Sequence, residues 1–374
     1  MSSKLDTLFR RFSFGKVELS NRIVMAPMTR SQSPNSIPND DVAGYYKRRA
    51  EGGVSLIVTE GTPPGAKGSH GYDNVPSFYG DEALAGWKKV VEEVHAAGGH
   101  IIPQVWHVGS MRTPGSGPSP EDPVIGPSPV IHPQVAMLHE KAQPPVEMTQ
   151  ADIDACVEAF GEAAKDAEAI GMDGLEIHGA HSYLIDQFCW SVTNQRSDGY
   201  NGDLATRARF ASEVVKTMRA NVSDDFPIVF RYSQWKQGDY THKMAPTPQE
   251  LEAYLNVLCE AGVDVFHCSQ RRFDEPEFED SNLNLAGWTK KITGKATISV
   301  GSVGLESDFL GSFIGKGSKP SNIDALLERM ENDEFDLIAI GRALLSDPSW
   351  PNKIKKGHDE EIKHFDVADM QVLT

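Results

Sequence analysis

The chain has 374 residues, of which 39% are hydrophobic and 24% are charged, and its formal net charge is -17. This acidic excess argues against nucleic acid or an anionic membrane as the main partner, because both repel negative charge. The four cysteines form no C-x-x-C pair, so the sequence offers no iron–sulfur or zinc cysteine cluster. No apolar run approaches the roughly 18 residues of a membrane span, and the N-terminus lacks an apolar signal region. We therefore expect a cytoplasmic protein, and nothing in the composition specifies its oligomeric state.

Eight short apolar runs recur along the chain, and most of them are followed by a helical pattern. The runs cover residues 23–28, 54–59, 101–106, 174–178, 228–231, 263–268, 297–301 and 337–341. Near-continuous apolar runs are typical of parallel strands that are covered on both faces. We therefore predict eight buried parallel strands.

Helical patterns lie between these runs, at residues 81–97, 149–170, 205–220, 247–261 and 322–331. Two of them begin with capping signals, Thr149 with Asp152 and Thr247 with Glu250. Alternating strands and helices imply a parallel sheet with right-handed crossovers, and eight such units fit a (β/α)8 TIM barrel better than an open sheet. The prediction is a single barrel domain over residues 1–374.

Three segments depart from a minimal barrel. Residues 8–19 alternate apolar and other residues like a small hairpin, which we predict to plug the N-terminal end of the barrel. Residues 108–147 form a long excursion rich in Pro, Gly and Ser after the third strand. A loop of this length is usually functional or disordered, and because it leaves the C-terminal end of a strand, where barrel active sites lie, we interpret it as a partial lid. Residues 270–287 form another extended loop on the same face.

The C-terminal ends of the strands are where barrel enzymes place their chemistry. Here the cluster His178-Gly-Ala-His181-Ser-Tyr183 directly follows a buried strand. Two imidazoles there can hold an electronegative oxygen of a substrate, and the tyrosine can supply a proton. The other strand ends carry Pro27, Met28, Thr29, Glu60, Gly61, Gln104, Trp106, His107, Arg231, Gly301, Ser302, Gly341 and Arg342.

The histidines allow other interpretations. His178 and His181 could ligate a metal together with His107, although no carboxylate stands at a recognised ligand spacing. They could also be core or capping histidines, and Tyr183 could be a packing tyrosine. We favour paired oxygen-binding donors and predict no metal.

Arg231 and Gln104 each have a functional and a structural interpretation. Arg231 ends an apolar strand, where it either forms a salt bridge, for example to Glu60, or stabilises negative charge on a bound ring. Gln104 carries a donor and an acceptor that suit the edge of a heterocycle, or it is a satisfied amide of the barrel core. The sequence leaves both choices open.

Glycine turns follow the last two strands, at Gly301-Ser302 and at Gly341-Arg342. Each glycine alone indicates only a tight turn. Many barrels bind phosphate at these two turns through backbone N–H groups, and an arginine adds a planar cationic fork. Together they predict a phosphate site.

Five motifs now combine into a family pattern. They are Asn21-Arg22-Ile-Val-Met-Ala-Pro27-Met28-Thr29-Arg30, Gln104-Val-Trp106-His107, His178-Gly-Ala-His181-Ser-Tyr183-Leu-Ile-Asp-Gln187-Phe188, Asn194-Gln-Arg196-Ser-Asp198-Gly-Tyr200 and Gly341-Arg342-Ala-Leu-Leu-Ser-Asp347-Pro348. With them the chain resembles the Old Yellow Enzyme family of FMN-dependent ene-reductases, almost from end to end.

The resemblance implies non-covalent FMN at the barrel mouth and NAD(P)H as the co-substrate that reduces it. The residues implied to contact FMN are Pro27, Met28, Thr29, Gly61, Gln104, His178, Arg231, Gly301, Ser302, Gly341 and Arg342. Thr29 would bind the flavin O4, Arg231 would lie by N1 and O2, and the last four would hold the phosphate. His178 and His181 would bind the substrate oxygen, Tyr183 would donate the proton, and Trp106 would shape the substrate pocket.

The implied reaction is hydride transfer to the β-carbon of an activated alkene, such as an enone, a nitroalkene or a maleimide. Many family members have asparagine where this chain has His181. A histidine at that position occurs in members that also reduce nitro compounds and nitrate esters, so these join the expected substrates. The four-cysteine cluster and the pyridine-nucleotide domain of the larger dienoyl-reductase relatives are absent from this sequence.

Overall fold

A computed structural model describes residues 4–374, and for residues 312 and 313 it describes the backbone alone. Eight parallel strands close into a barrel. These strands are β3 (Ile23–Met25), β4 (Leu56–Thr62), β5 (His100–Val105), β8 (Leu175–Gly179), β9 (Ile228–Ser233), β10 (Val265–Ser269), β11 (Ala296–Val300) and β12 (Leu337–Ile340). They follow one another around the barrel in chain order, and β12 pairs with β3 to close it. All eight predicted strands and the (β/α)8 class are confirmed, with strand ends shifted by a few residues.

Helices cover the outside of the barrel and its loops. They are α1 (Lys4–Leu8), α2 (Asp40–Glu51), α3 (Asp81–Ala96), α4 (Pro133–Leu138), α5 (Gln150–Ala169), α6 (Leu184–Cys189), α7 (Leu204–Arg207), α8 (Arg209–Ala220), α9 (Pro248–Ala261), α10 (Leu285–Thr293), α11 (Leu310–Phe313), α12 (Asp324–Glu331), α13 (Arg342–Ser346) and α14 (Trp350–Lys356). Across the described residues, no helix is both long and apolar enough to cross a bilayer.

The five predicted helices are present, and two of them begin as the sequence indicates. Thr149 and Asp152 form a capping box at the start of α5, and Thr247 and Glu250 form another at the start of α9. The predicted helix over 205–220 is divided at Ala208 into α7 and α8. The predicted loop over 270–287 ends earlier than expected, because α10 begins at Leu285.

The N-terminal hairpin is confirmed, with β1 (Phe12–Phe14) antiparallel to β2 (Val17–Leu19). Phe14 and Leu19 are buried and join the apolar cluster inside the barrel. The other buried residues of that cluster are Val24, Ala26, Leu56, Val58, Ile102, Val229, Val265, Ile298, Leu337 and Ala339. The hairpin therefore closes the end of the barrel where the strands begin.

The excursion at 108–147 contains α4 and a two-stranded pair, β6 (Ile125–Gly126) with β7 (Val146–Glu147). The buried side chain of Arg112 organises it. Its guanidinium donates to the carbonyl oxygens of Ser116 at 2.9 Å, Ser119 at 2.7 Å and Asp122 at 3.3 Å, and also to that of His70. Because His70 belongs to the β4–α3 connection, Arg112 ties the excursion to the neighbouring loop.

A polar cluster ties three elements together at the end of the barrel opposite the excursion. The carboxylate of Asp173 lies 2.8 Å from Nε2 of His95 and 3.1 Å from Nδ1 of His100, and it accepts the Ile101 N–H at 2.8 Å. The hydrogen bond and the charge of Asp173 raise the pKa of His95. Although burial opposes it, the hydrogen bonds from His100, His95 and Ile101 lower the pKa of Asp173 to about 2.

We predict that Phe14→Ala destabilises the protein by about 3–5 kcal/mol, because it leaves a cavity in the barrel core. Phe12 lies on the same strand and is only partly buried, so Phe12→Ala is the matched control and costs clearly less. Urea unfolding followed by circular dichroism measures both. Equal losses would show that the hairpin does not plug the barrel.

We predict that the contribution of the His95–Asp173 pair to the free energy of unfolding depends on pH. A raised His95 pKa stabilises the fold below the unfolded histidine pKa of about 6.5, and this contribution is lost as pH rises through the folded value. The lowered Asp173 pKa stabilises the fold above about 3.8, and this contribution is lost as pH falls towards 2. Replacing His95→Gln should therefore lower Tm more at pH 5.5 than at pH 8.5. A pH-independent difference would contradict the ion pair.

Candidate active site

The catalytic end of the barrel holds two adjoining cavities, of about 420 Å³ and about 150 Å³. Both are lined by Pro27, Thr29, His181, Tyr183, Arg231 and Gln237. The larger one adds Met28, Gly301, Ser302, Gly341 and Arg342, and the smaller one adds Gln104, Trp106 and His178. The structure thus brings the predicted site residues together, with one exception. Gly61 lines neither cavity, and a Cβ there would lie 2.3 Å from the Trp106 ring, so this glycine makes room for the indole.

The end of β8 and the turn that follows it direct three predicted catalytic side chains to one place. The His178 ring centroid lies 5.1 Å from that of His181 and 5.0 Å from that of Tyr183, both edge-on. His181 and Ser182 have φ of 61° and 57°, a left-handed conformation that L-residues adopt at a cost. The Ser233 hydroxyl accepts the His181 N–H at 3.0 Å and offsets part of that cost.

A buried ion pair holds the same turn from the other side. The Asp186 carboxylate accepts the Ser182 N–H at 2.6 Å and pairs with the ammonium of Lys236. Both charged side chains are 0% exposed. Because an unpaired buried charge is costly, this pair links the turn after β8 firmly to the loop after β9.

Both histidines of the site are neutral. Burial lowers the pKa of His178 and of His181 well below the usual value, and the charge of Arg231 lowers both further. Nδ1 of His178 accepts the Ala180 N–H at 3.3 Å, so its proton resides on Nε2. Nε2 of His181 lies 2.7 Å from the Ser269 hydroxyl. A neutral imidazole with one N–H suits an oxygen that develops negative charge.

Tyr183 remains protonated, because burial raises its pKa well above 10. Its hydroxyl lies 3.5 Å from that of Tyr72, and its ring meets Trp106 edge-on at 4.8 Å. Tyr72 in turn stacks on Trp106. The phenol therefore keeps its proton within an aromatic enclosure.

Sequence reasoning missed three residues that surround His181 and Tyr183. Tyr72 lies on the β4–α3 connection, and Trp235 and Gln237 lie on the loop after β9. Trp235 stacks on His181 with ring centroids 4.4 Å apart, and the Gln237 amide donates to the His181 carbonyl at 3.1 Å. None of them belongs to a periodic pattern. The available signal was the position of an aromatic or amide side chain in a loop that follows a barrel strand.

Arg231 is a buried cation with few partners. Its Nη2 lies 3.4 Å from the Ser269 hydroxyl, and its buried Nε lacks a hydrogen-bond partner. The suggested salt bridge to Glu60 is not formed. Glu60 instead accepts the backbone N–H groups of Arg30 and Ser31, at 2.9 and 3.0 Å. A cation of this kind beside a cavity suits a ligand that carries negative charge.

The predicted phosphate turns meet at the rim of the larger cavity. Gly301 has φ of 144°, and a Cβ there would lie 2.8 Å from the Gln270 carbonyl oxygen, so glycine is required. Arg342 donates to the Ser302 hydroxyl at 3.3 Å and to the carbonyl of Ser307 at 2.7 Å. The guanidinium is thus fixed beside the Gly301 turn.

The metal-ligand alternative does not fit this geometry. Nε2 of His107 lies 3.1 Å from the Lys67 carbonyl oxygen, and its Nδ1 accepts the Gly109 N–H at 3.0 Å. His107 therefore cannot complete a ligand set with His178 and His181. Within residues 4–374, the group spaced to bind a metal is the His95–His100–Asp173 cluster at the other end of the barrel.

Comparison with known proteins places this site in a family. The profile of the NADH:flavin oxidoreductase / NADH oxidase family, a family of FMN oxidoreductases, matches residues 7–361. The chain belongs to this family, the Old Yellow Enzymes. The resemblance found in the five sequence motifs is thereby confirmed.

Individual relatives support the assignment. An NADH oxidase from Thermoanaerobacter brockii is 32% identical over 95% of the chain, which spans only 52% of that protein's length. A chanoclavine-I aldehyde reductase from Penicillium roqueforti is 31% identical over 94% of the chain and 90% of its own length. An Old Yellow Enzyme structure from Pichia sp. AKU4542 superposes with a TM-score of 0.80 at 27% identity, covering 97% of this chain and 90% of that one.

The residues of this Old Yellow Enzyme fit the cofactor of its family. The buried Nε of Arg231 lacks a partner at the edge of a cavity, as expected where a ligand supplies the acceptor. The Gly301 turn and Arg342 lie at the rim of the same cavity, where a phosphate would meet backbone N–H groups and a guanidinium. FMN carries both features, a ring that becomes anionic on reduction and a terminal phosphate.

Proposed function

We propose that this protein is an FMN-dependent, NAD(P)H-using ene-reductase that acts on activated alkenes, such as enones, nitroalkenes and maleimides. The observation that carries the proposal is the arrangement of two neutral imidazoles and a protonated tyrosine around one cavity, beside a buried arginine. Nitro compounds and nitrate esters join the proposed substrates because of His181. The same site would receive NADH or NADPH.

FMN would be bound non-covalently by residues that line the two adjoining cavities. The phosphate would be held by Gly301, Ser302, Gly341 and Arg342. The ring would contact Pro27, Met28, Thr29, Gln104, His178 and Arg231. Gly61 would support this arrangement indirectly, because it leaves room for the Trp106 side chain. When bound, FMN supplies the hydride chemistry. The excursion at 108–147 would act as a partial lid, and residues 1–374 would work as one domain.

The protein's own groups perform three tasks in this mechanism. His178 and His181 donate hydrogen bonds to the carbonyl or nitro oxygen of the alkene, where negative charge grows in the transition state. Fixed donors stabilise that charge more in the transition state than in the ground state. Tyr183 gives its proton to the α-carbon, and Trp106 and Tyr72 restrict water beside it.

We expect Tyr183→Phe to leave the reduction of bound flavin by NADPH nearly intact and to slow alkene reduction by roughly 10²–10⁴-fold, the usual contribution of a placed general acid. Stopped-flow measurement of the two half-reactions separates them. Tyr72→Phe is the matched control, since it removes the neighbouring hydroxyl, and it should have a smaller effect. Equal slowing of both half-reactions would refute the proton-donor role.

A binding experiment tests the two histidines. A phenolate oxygen resembles the oxyanion that develops on the substrate, so His178→Ala should weaken p-hydroxybenzaldehyde binding on the order of tenfold, by loss of a hydrogen bond to charge. The absorbance change of the bound flavin reports the titration. Unchanged affinity in both His178→Ala and His181→Ala would contradict the donor pair. Wild-type protein that does not take up FMN would refute the whole proposal.

A further inference from the structure

A chain of buried polar groups crosses the barrel below the site. The Gln104 amide donates from Nε2 to one carboxylate oxygen of Glu176 at 2.7 Å. The other carboxylate oxygen lies 2.6 Å from Nδ1 of His267. Glu176 and His267 have 0% exposed side chains. These residues lie on β5, β8 and β10, and Glu176 lies on β8 two residues before His178, deeper in the barrel.

Burying the carboxylate of Glu176 at this position costs free energy, although Glu176 lines neither cavity. A buried carboxylate loses its hydration, and hydrogen bonds repay that only in part. Glu176 forms no ion pair with Arg231, whose charge nevertheless interacts with it. Around this polar chain the barrel interior is apolar, and the residue paired with Glu176 on β9 is Val229. An apolar residue at 176 would therefore suit a purely structural core, which points to a functional reason for the carboxylate.

One consequence of Glu176 concerns the orientation of Gln104. A carboxylate accepts hydrogen bonds and cannot donate them, so it fixes which end of the Gln104 amide is the nitrogen. The amide carbonyl and the second N–H then remain for the cavity that Gln104 lines. An adjacent acceptor and donor complement the alternating N–H and C=O groups of a heterocycle.

A second consequence concerns charge. His267 donates from Nδ1 to Glu176, and burial lowers its pKa, so it is neutral. Both oxygens of Glu176 accept hydrogen bonds, as expected of an ionised carboxylate, so Arg231 and Glu176 place a cation and an anion inside the barrel next to the cavity. Arg231 favours added negative charge on a bound ring, and Glu176 opposes it.

We propose that Glu176 is a positioning residue for the cofactor, which orients the Gln104 amide and lowers the flavin reduction potential through its charge. This inference rests on the proposed flavin function. Glu176 lies outside the cavity, yet it would set both the affinity for FMN and the reduction potential of the flavin.

The decisive variant is Glu176→Gln, which keeps the size of the side chain and removes its charge. Loss of that charge should favour reduced over oxidised FMN on the order of tenfold, the effect of one buried charge at moderate distance. For a two-electron couple, tenfold corresponds to a midpoint about 30 mV higher. The amide introduced by Glu176→Gln can itself donate to Gln104, so the orientation of Gln104 is no longer fixed. Oxidised FMN should then bind about tenfold more weakly, by loss of a hydrogen bond to its ring. Dye-coupled redox titration and fluorescence titration of apoprotein with FMN measure the two effects.

Matched controls separate charge, orientation and folding. Asp173→Asn removes one buried carboxylate at the far end of the barrel, so it should leave the midpoint unchanged. Glu176→Asp keeps the charge but shortens the reach to Gln104, so it should weaken FMN binding with a midpoint near that of wild type. It also supplies a folded variant if Glu176→Gln does not fold. In a Gln104→Leu background, Glu176→Gln should still raise the midpoint but add little further loss of affinity.

The outcomes distinguish this inference from the proposed function. If wild type binds FMN and Glu176→Gln leaves both midpoint and affinity unchanged, the role of Glu176 is overturned and the ene-reductase proposal stands. A midpoint shift of the same size in Asp173→Asn would also overturn it, because the effect would then be global. Wild type that takes up no FMN would refute the proposed function itself.

Discussion

The buried pair of Asp186 and Lys236 is the interaction on which the arrangement of the site depends. Asp186 accepts the Ser182 N–H, and Lys236 brings the loop after β9 against the turn after β8. Burial raises the pKa of Asp186, and Lys236 opposes that shift. The pair therefore holds two consecutive left-handed residues, His181 and Ser182, in a conformation that the backbone alone disfavours. Together with the hydrogen bonds of the His181 backbone to Ser233 and Gln237, the pair keeps the imidazole of His181 beside Trp235.

The protonation states of the site form a consistent set. Burial keeps His178 and His181 neutral and Tyr183 protonated, because each would lose hydration by becoming charged. Arg231 lies beside these three residues and carries a positive charge. Glu176 lies deeper in the barrel and carries the opposite charge. A site with neutral donors and one cation can accept a negative charge that appears only during the reaction, which is the requirement of differential transition-state binding.

Much of the fold and the site could be predicted from sequence, because both depend on periodic or local signals. The eight strands were found from apolar runs, and α5 and α9 from their capping residues. Helix α2 was missed, since its polar face and Gly44 weaken the helical pattern. Tyr72, Trp235 and Gln237 were missed because loops bring them to the cavity, and loop geometry leaves no periodic trace. The sequence left two interpretations open for Arg231, and the salt bridge to Glu60 is not formed because backbone N–H groups bind that carboxylate.

The bracing of the 108–147 excursion by Arg112 limits how this segment can move. One guanidinium bonds carbonyl groups at three points of the excursion and a fourth on the neighbouring loop, and no single one can be released without leaving a buried donor unsatisfied. Residues 112–122 can therefore be displaced only together with the loop that holds His70. Tyr72 lies on the same loop, so such a displacement would also move the hydroxyl that faces Tyr183.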